Sequence, residues 1–208
     1  RDILLGIIPL GTANVLAREL RAPLDYEQAC HVIARGNTRR IDVGRDERRY
    51  FVLMAGVGFD AEVVRIIESN RKGSISILTY AMPILKAFWQ YDFPRFSVEV
   101  DGRPLGEGAG SVFISNTRRY TGPLVITNRA RVDDGELDVF IFRESGKLKL
   151  LKYSVGTLFW MADRFYDVTY VRGKEVRVSP VNSSRDVAYQ IDGDSGGKLP
   201  QTFSVVPS

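Results

Sequence analysis

The chain has 208 residues, of which 44% are hydrophobic and 26% charged, a composition typical of a folded globular protein. Its net charge of +4 favours an anionic ligand or membrane surface, but no nucleic-acid-binding motif accompanies it, so we expect no nucleic acid partner. The single cysteine, Cys30, and the single histidine, His31, exclude a disulfide framework and a multi-histidine metal site, and they argue against Ser-His-Asp catalysis. Because residue 1 is arginine and no signal-peptide pattern follows, we expect a piece of a longer protein.

The first 40 residues alternate between strand and helix patterns. Residues 3–10 are mostly apolar and predict a buried strand, which leads through a Gly-Thr turn into a helix over residues 15–20. Thr12 or Asn14 is expected to cap that helix. A second helix is expected between Asp25, its N-cap, and Gly36, with three apolar residues on one side, Ala29, Val32 and Ile33. This order is typical of an α/β domain.

After residue 40 the pattern changes. Residues 41–44 and 50–55 predict a hairpin with a charged turn, and residues 60–68 predict a helix whose inward face carries Val63, Val64 and Ile67. The apolar run 75–91 contains Pro83 and is shorter than the ~20 residues that span a bilayer, which favours a buried or groove-lining helix.

From Phe96 onward, short alternating runs dominate, and one helix over residues 147–163 interrupts them. The runs are FSVEVD, SVFISN, LDVFIF, YDVTYV, KEVRVS, VAYQID and TFSVV. Many short strands with few helices indicate a β-sandwich or barrel. We place the domain boundary near residue 40, where the helical period gives way to alternation.

The PLGTAN segment could bind a phosphate. Gly11 lets the backbone approach a ligand closely, and Thr12 offers both an N–H and a hydroxyl group. A capped helix after a strand is the structural alternative, and a single glycine-containing turn does not decide between them.

Two Asp-Gly turns carry candidate carboxylates, although each is also a common hairpin turn. In ARVDDGELDVF, Asp134 and neighbouring carbonyl groups offer the oxygen ligands that suit Mg²⁺ or Ca²⁺. In YQIDGDSGG, a carboxylate that follows a strand could act as a general base. Because the sequence shows no Cys–His or Ser–His catalytic pair, a carboxylate is the best candidate for that role.

Two further motifs receive mainly structural interpretations. In GVGFDAEVV, Gly56 and Gly58 allow tight backbone packing, and Asp60 is expected to cap the following helix. In SNTRRYTGPLVIT, the arginines and Tyr120 form either a solvated charged loop or a groove that contacts a phosphate-bearing or interfacial substrate.

Taken in order, LGIIPLGTAN, RRIDVG, GVGFDA, NTRRYTGPLVIT with ARVDDGELDV, and QIDGD…LP resemble the diacylglycerol kinase catalytic family, which includes sphingosine, ceramide and soluble bacterial lipid kinases. The resemblance extends from about Leu4 to Val206. It implies an α+β fold, in which residues 1–40 are the tail of an α/β nucleotide-binding domain similar to that of NAD kinases. Residues 41–208 would form a β-sandwich lining the lipid-substrate cleft.

The resemblance implies ATP and Mg²⁺ as cofactors. Gly11, Thr12 and Asn14 fall on the turn that contacts ATP in the family. The family's GGDGT loop, which holds the rest of the ATP site, is absent from the 208 residues, so we expect it upstream of Arg1 and expect these residues alone to be inactive. Many relatives have Asp where this chain has Val15, so a carboxylate is lost there.

The family's other site residues fall on the two Asp-Gly turns. Asp134, with the carbonyl groups of Arg131 and Glu136, corresponds to the ligands of a structural Mg²⁺. Asp194 stands where the family often has Glu, the proton acceptor of the reaction. Asp is one methylene shorter than Glu but offers the same chemistry.

The resemblance also implies a diacylglycerol-like lipid alcohol as substrate and a cytoplasmic protein peripheral at the membrane. The apolar run 75–91 could face acyl chains. The helix after Lys147 could dock on an anionic membrane through Lys147, Lys149 and Lys152 or simply pack on the core. Exposed sandwich edges would allow a homodimer.

The alternatives are a non-catalytic lipid-binding module, a sphingosine- or ceramide-type specificity, and a NAD kinase or polyphosphate-using relative. The motifs after residue 41 argue against the last of these.

Overall fold

The computed structural model describes residues 4–69, 77–121, 124–143, 145–158, 165–181 and 186–208, without the side chains of residues 77–81 and 157–158. Its helices are α1 Val15–Glu19, α2 Tyr26–Ala34, α3 Phe59–Ser69, α4 Ile77–Gln90 and α5 Lys147–Leu158. Its strands are β1 Val43–Arg45, β2 Tyr50–Phe51, β3 Met54–Val57, β4 Phe96–Val100, β5 Arg103–Ala109, β6 Ser111–Ser115, β7 Arg119–Thr121, β8 Leu124–Val125, β9 Leu137–Phe142, β10 Val168–Gly173, β11 Glu175–Pro180, β12 Ala188–Ile191, β13 Asp194–Lys198 and β14 Gln201–Val206.

Two six-stranded antiparallel sheets form a β-sandwich. The first sheet has the order β2-β1-β14-β11-β4-β5, and the second has the order β10-β9-β6-β3-β12-β13. Alternate residues of both sheets meet in one apolar core, in which Phe51, Phe96 and Phe203 come from the first sheet and Ile114 and Leu137 from the second. The sandwich that the alternating pattern predicted is therefore confirmed.

Helices α3 and α5 pack on the second sheet, and α4 packs on α3. Val63 and Ile66 of α3 pack with Ala87 of α4, and α5 packs through Tyr153 on Phe142 of β9. The inward face of α3 therefore differs in part from the prediction, because Val64 is only partly buried while Ile66 takes its place. Among the described residues, no helix is both long and apolar enough to cross a bilayer.

The predicted first strand is not formed over residues 4–10. These residues have no strand partner in the described part of the chain, and Leu10 is 79% exposed. A buried strand needs neighbours on both sides. The segment instead runs beside α2, where a side chain at Gly6 would meet Ile33 at 3.1 Å.

Helix α2 begins and ends where the sequence indicated. Asp25 is its N-cap and accepts a 2.9 Å hydrogen bond from the N–H of Gln28, and Gly36 follows its C-terminus with a φ of 69°. Of the three apolar residues expected on one side, only Ala29 is buried.

The predicted 41–55 hairpin is split between the two sheets. β1 and β2 pair as a hairpin in the first sheet, but β3 belongs to the second. The chain changes sheets at Val52 and Leu53, whose N–H groups are bound by the carboxylate of Asp192 instead of by a strand. A side chain therefore replaces the ladder that a continuous strand would need.

Candidate functional site

The PLGTAN turn is held by its own asparagine. The side chain of Asn14 accepts a 2.9 Å hydrogen bond from the N–H of Gly11 and donates a 2.7 Å hydrogen bond to the Gly11 carbonyl. Asn14 has a left-handed φ of 46° and makes no side-chain cap, so the expected capping role is wrong for this residue. Gly11 and Thr12 are exposed, which leaves the Thr12 N–H and hydroxyl facing solvent.

The helix that follows this turn is tied to the second sheet through Glu19. The Glu19 side chain is only 4% exposed, and its Oε1 accepts a 2.8 Å hydrogen bond from Nε of Arg118. Nε of Arg119 lies 3.8 Å from the other oxygen. The arginines of the SNTRRY motif are therefore not a solvated loop, because they hold α1 against β7.

The second candidate turn joins β12 to β13. Asp192 and Gly193 have φ angles of 50° and 89°, as two-residue hairpin turns require, so the predicted hairpin is confirmed here. The Asp192 carboxylate accepts hydrogen bonds from the N–H groups of Val52, Leu53 and Met54 at 2.7, 2.9 and 2.8 Å. Burial raises the pKa of Asp192, while these three hydrogen bonds oppose that rise.

Asp194 is exposed, as Asp192 is, and carries the second carboxylate of this turn. Its main-chain neighbourhood is fixed from three sides. The N–H of Gly193 donates to Gln190 at 2.8 Å, the N–H of Ser195 donates to Glu68 at 2.7 Å, and the guanidinium of Arg49 donates to the Ser195 carbonyl. Within the described part of the chain, the Asp194 side chain itself has no hydrogen-bond or ion-pair partner. A rigid turn thus presents a free carboxylate to solvent.

A polar cluster lies behind that turn. Asp60, in the first turn of α3, accepts hydrogen bonds from the Tyr120 hydroxyl and, at 2.8 Å, from the Gln190 amide. Asp60 therefore does not cap α3 as expected. A side chain at Gly56 would approach Asp60 and Gln190 at 2.5 and 2.7 Å, so glycine at this position leaves room for their contact. Burial raises the pKa of Asp60, although both hydrogen bonds lower it in part.

The Asp134 turn precedes β9. It is not the hairpin that its Asp-Gly pair suggested, because β8 pairs with β7 instead of β9. Gly135 has a φ of 72°, and its N–H donates a 2.7 Å hydrogen bond to the buried carboxylate of Asp42. The guanidinium of Arg172 contacts the Asp134 carboxylate and lies 2.9 Å from Glu136 Oε2.

The donor set at this turn suits a hard cation only if main-chain carbonyl groups contribute. No group of three or more His, Cys, Asp or Glu side chains within the described ranges could hold a metal ion. The Arg131 side chain is 72% exposed and pairs with Asp133 at 3.6 Å, which leaves only its carbonyl group as a candidate ligand. Asp138, 0% exposed, has a buried Oδ2 with no hydrogen-bond partner, so the site retains unused oxygen capacity. These oxygens fit Mg²⁺ in kind, with Arg172 as a competing cation.

Asn116 links the two Asp-Gly turns. Its buried side-chain amide donates to the carbonyl groups of Asp42 and Val52, at 2.9 and 3.0 Å. Asp42 binds the turn that contains Asp134, and Val52 donates to Asp192. The candidate metal turn and the candidate base turn therefore belong to one hydrogen-bonded network.

An exposed apolar surface is formed by α4 and α5. Trp89 and Leu148 are 65% and 84% exposed, and Lys147 Nζ lies 4.4 Å from the centre of the Trp89 ring. The other exposed apolar residues of this surface are Met82, Ile84, Leu85, Leu151 and Val155. Lys152 and Lys149 are both near Asp167, at 2.7 and 3.7 Å, so two of the three lysines expected to face a membrane have an internal partner. Phe159 and Trp160, which the sequence also places on the apolar side of this helix, lie outside the described residues.

A cleft of about 170 Å³ opens between α3, the end of α4 and β12. Carboxylates of Glu62, Asp92 and Asp186 line it, together with Tyr91. Such a polar lining does not match an acyl chain, so the apolar part of a lipid substrate is not assigned to this cleft.

Comparison with known proteins decides the family. A profile described as YegS C-terminal NAD kinase beta sandwich-like domain matches residues 54–208, and a second, described as diacylglycerol kinase catalytic domain, matches residues 1–45. The chain belongs to the family with the YegS C-terminal NAD kinase beta sandwich-like domain, and its first 45 residues match the diacylglycerol kinase catalytic domain. The family resemblance and the α+β fold predicted from the motifs are confirmed, while the exact domain boundary at residue 40 stays a prediction.

Individual relatives agree with the family. A curated diacylglycerol kinase of Staphylococcus aureus (strain JH9) is 28% identical over 204 residues, covering 96% of this chain and 62% of its own length. A Bacillus anthracis crystal structure matches with a TM-score of 0.72 at 22% identity, over 96% of this chain and 64% of its own. A diacylglycerol kinase structure from the same organism gives 0.65 at 18%, over 96% and 62%. The chain thus spans less than two thirds of these relatives, and the structures support the fold alone.

Sequence reasoning missed four residues that shape the site. Arg172 could not be found because it reaches Asp134 across 38 residues. Gln190, Glu68 and Arg49 hold the Asp194 turn from three different elements. Only the position of Gln190, two residues before Asp192 on a predicted strand, offered a sequence signal.

Proposed function

We propose that the protein is an ATP-dependent lipid kinase, which phosphorylates the hydroxyl group of diacylglycerol or a similar lipid alcohol. The observation that carries the proposal is the Asp194 carboxylate, exposed and free on a turn that three separate contacts hold in place. A general base needs this combination of access and fixed position. Residues 1–40 would contribute the tail of the nucleotide-binding domain, and residues 41–208 the sandwich beside the lipid cleft.

In this proposal Asp194 would accept the proton of the lipid hydroxyl group when that oxygen takes up the phosphoryl group. The exposed N–H and hydroxyl groups of Thr12 would donate to phosphate, in a turn whose shape Gly11 and Asn14 set. When bound, ATP supplies the γ-phosphoryl group, and a Mg²⁺ bound with it would neutralise phosphate charge. A second Mg²⁺ held by Asp134 and the carbonyl groups of Arg131 and Glu136 would stabilise the loop before β9.

A kinase assay of the complete gene product tests the proposal. The protein is incubated with ATP, Mg²⁺ and mixed micelles that contain diacylglycerol, sphingosine or ceramide, and the phosphorylated lipid is identified by mass spectrometry. The proposal expects phosphatidic acid from diacylglycerol. If only sphingosine or ceramide is phosphorylated, the protein is a lipid kinase with sphingosine- or ceramide-type specificity. Lipid binding without any phosphate transfer would identify a non-catalytic lipid-binding module instead.

We further propose that the protein is cytoplasmic and peripheral at the membrane, and that the α4–α5 surface contacts lipid. Exposed apolar side chains beside Lys86 and Lys147 suit an interface with anionic lipid. Vesicle sedimentation tests this point. Trp89→Ala with Leu148→Ser should weaken binding to phosphatidylglycerol vesicles, whereas Tyr50→Ser, which changes an exposed aromatic residue of β2, should not. Equal binding by all variants would contradict the assignment.

Edge strands such as β5 would allow a homodimer, which sedimentation velocity would detect.

A further inference from the structure

The candidate base is connected to the rest of the molecule by an unusual set of polar side chains. Its own carboxylate has no partner in the described part of the chain, but the turn that carries it does. The N–H of Gly193, the residue before Asp194, donates a 2.8 Å hydrogen bond to Oε1 of Gln190. Gln190 is 3% exposed, so a buried side chain anchors the exposed Gly193 and limits where the turn can lie.

The orientation of Gln190 is fixed by its other end. Its Nε2 donates a 2.8 Å hydrogen bond to Oδ2 of Asp60, whose Oδ1 accepts from the Tyr120 hydroxyl. An amide that donates at one end and accepts at the other cannot rotate by half a turn without losing both contacts. Asp60 therefore determines that the oxygen of Gln190 faces Gly193.

The same network reaches the helix that follows the phosphate turn. Tyr120 lies in β7, next to Arg118 and Arg119, and Arg118 binds Glu19 of α1 at 2.8 Å. Residue 19 is five positions after Asn14, which shapes the PLGTAN turn. Residues 118–120 thus contact both halves of the proposed site, through side chains on adjacent positions of one short segment.

We propose that Tyr120, Asp60 and Gln190 are positioning residues for Asp194. We also propose that Arg118 connects this hydrogen-bonded network to the PLGTAN turn through Glu19. This inference rests on the proposed function of Asp194. It gives the SNTRRY motif a role that is neither substrate contact nor surface charge. A displacement of about 1 Å at a reacting group can lower a rate by about 100-fold, so hydrogen bonds remote from the substrate can control kcat.

The test compares two buried glutamines in the complete gene product. Gln190→Met keeps the length of the side chain but removes both hydrogen bonds. Gln201→Met is the matched control, because Gln201 is 7% exposed and hydrogen-bonds within β14 of the other sheet. We expect Gln190→Met to lower kcat between about tenfold and 100-fold, with KM for ATP and lipid within about threefold. Gln201→Met should leave kcat unchanged even if it lowers Tm.

Two further variants keep the outcomes separate. Tyr120→Phe removes only the hydroxyl and should lower kcat in the same direction, which covers the case in which Gln190→Met fails to fold. Asp194→Asn, measured beside them, tests the proposed base itself. If Asp194→Asn loses activity while Gln190→Met and Tyr120→Phe keep kcat within about twofold, the positioning role is wrong and the base assignment stands. If Asp194→Asn keeps activity, both fail.

A measurement on the complete gene product gives an answer without any turnover. Amide hydrogen exchange of Gly193 should accelerate at least about tenfold in Gln190→Met and Tyr120→Phe relative to wild type, because the turn loses its anchor. Exchange of the Val52 amide, which Asp192 binds, serves as the internal control. Unchanged exchange at Gly193 in both variants would overturn the proposal.

Discussion

The Asp192 carboxylate accepts a 2.8 Å hydrogen bond from the main-chain N–H of Met54, where the chain passes from one sheet of the sandwich to the other. The two preceding N–H groups bind the same carboxylate. One side chain therefore satisfies three donors that no strand pairs, and it fixes the hairpin that carries Asp194. Asp192 is therefore expected to contribute to stability, while Asp194 is the proposed general base.

Asp192→Asn should therefore lower the stability of the fold. An amide offers one acceptor oxygen where the carboxylate offers two, so at least one hydrogen bond to a charged group is lost, worth about 1.5–3 kcal/mol. For a chain of this length we expect Tm to fall by about 3–10 °C in differential scanning calorimetry. Asp194→Asn is the matched control and should leave Tm within about 1 °C. Equal Tm values for both variants would show that the three hydrogen bonds do not hold the crossing.

The alternating pattern of the sequence predicted the sandwich well where one face of a strand is buried. β4 and β11 alternate strictly between buried and partly buried or exposed residues over most of their length, and both were found at the expected positions. β5 and β13 were not predicted, because each contains two glycines. In β13, a side chain at Gly196 would meet the Tyr189 ring at 2.2 Å, so packing across the hairpin selects glycine there against strand propensity.

The candidate site was predictable only in part. Local motifs located Thr12, Asp134 and Asp194, because each stands in a turn with a recognisable sequence. The partners of those turns come from distant elements, and a single sequence contains no periodicity that relates Arg172 to Asp134 or Tyr120 to Asp60. Their pairing depends on strand order in the second sheet, which a pattern of alternating residues does not determine.

The pH dependence of stability should reveal Asp60. Burial raises its pKa above the ordinary 3.8 by more than the hydrogen bonds from Tyr120 and Gln190 lower it. Between 3.8 and the raised value the folded state keeps a proton that the unfolded state has lost, so this group makes the free energy of unfolding decrease as pH rises. Denaturant unfolding of wild type and Asp60→Asn from pH 3.5 to 7 should therefore show wild type losing stability relative to the variant.

Asp46 provides a control of opposite sign for that measurement. Burial raises its pKa, but hydrogen bonds from Tyr189 and from the main chain of Arg48 and Arg49 outweigh burial, and its pKa is lowered from 3.8. Its contribution to stability should be present above pH 3.8 and lost as pH falls through the lowered value. Parallel curves for wild type and Asp60→Asn would contradict a raised pKa at Asp60.

Mg²⁺ should stabilise the Asp134 turn and compete there with Arg172. An ion that binds only the folded state adds about 2.7 kcal/mol to the free energy of unfolding at 100 times its dissociation constant. Its binding therefore raises Tm. We expect a larger Mg²⁺-dependent rise in Tm for Arg172→Met than for wild type, because the guanidinium no longer occupies the carboxylate. Asp134→Asn should show no rise, while Asp133→Asn, which changes the neighbouring carboxylate, should behave like wild type. If Mg²⁺ changes Tm equally in all four proteins, the ion does not bind at this turn.

Thr12 should contribute to the use of ATP by the complete gene product. Thr12→Val keeps the volume of the side chain but deletes the hydroxyl, and a hydrogen bond to a charged phosphate is worth about 1.5–3 kcal/mol. We expect kcat/KM for ATP to fall by at least about tenfold, with lipid binding unchanged. Thr38→Val, in another exposed segment, is the control. If both variants match wild type, Thr12 only shapes the turn.

The most direct measurement is the kcat of Asp194 variants of the complete gene product. A general base contributes about 10²–10⁴ in rate, so Asp194→Asn should lower kcat at least about 100-fold with little change in KM for the lipid. Asp194→Glu, which introduces the residue commoner in the family, should keep substantial activity. Asp192→Asn should lower Tm but have a smaller effect on kcat than Asp194→Asn. If Asp194→Asn retains more than about a tenth of the wild-type kcat, the carboxylate of Asp194 is not the proton acceptor.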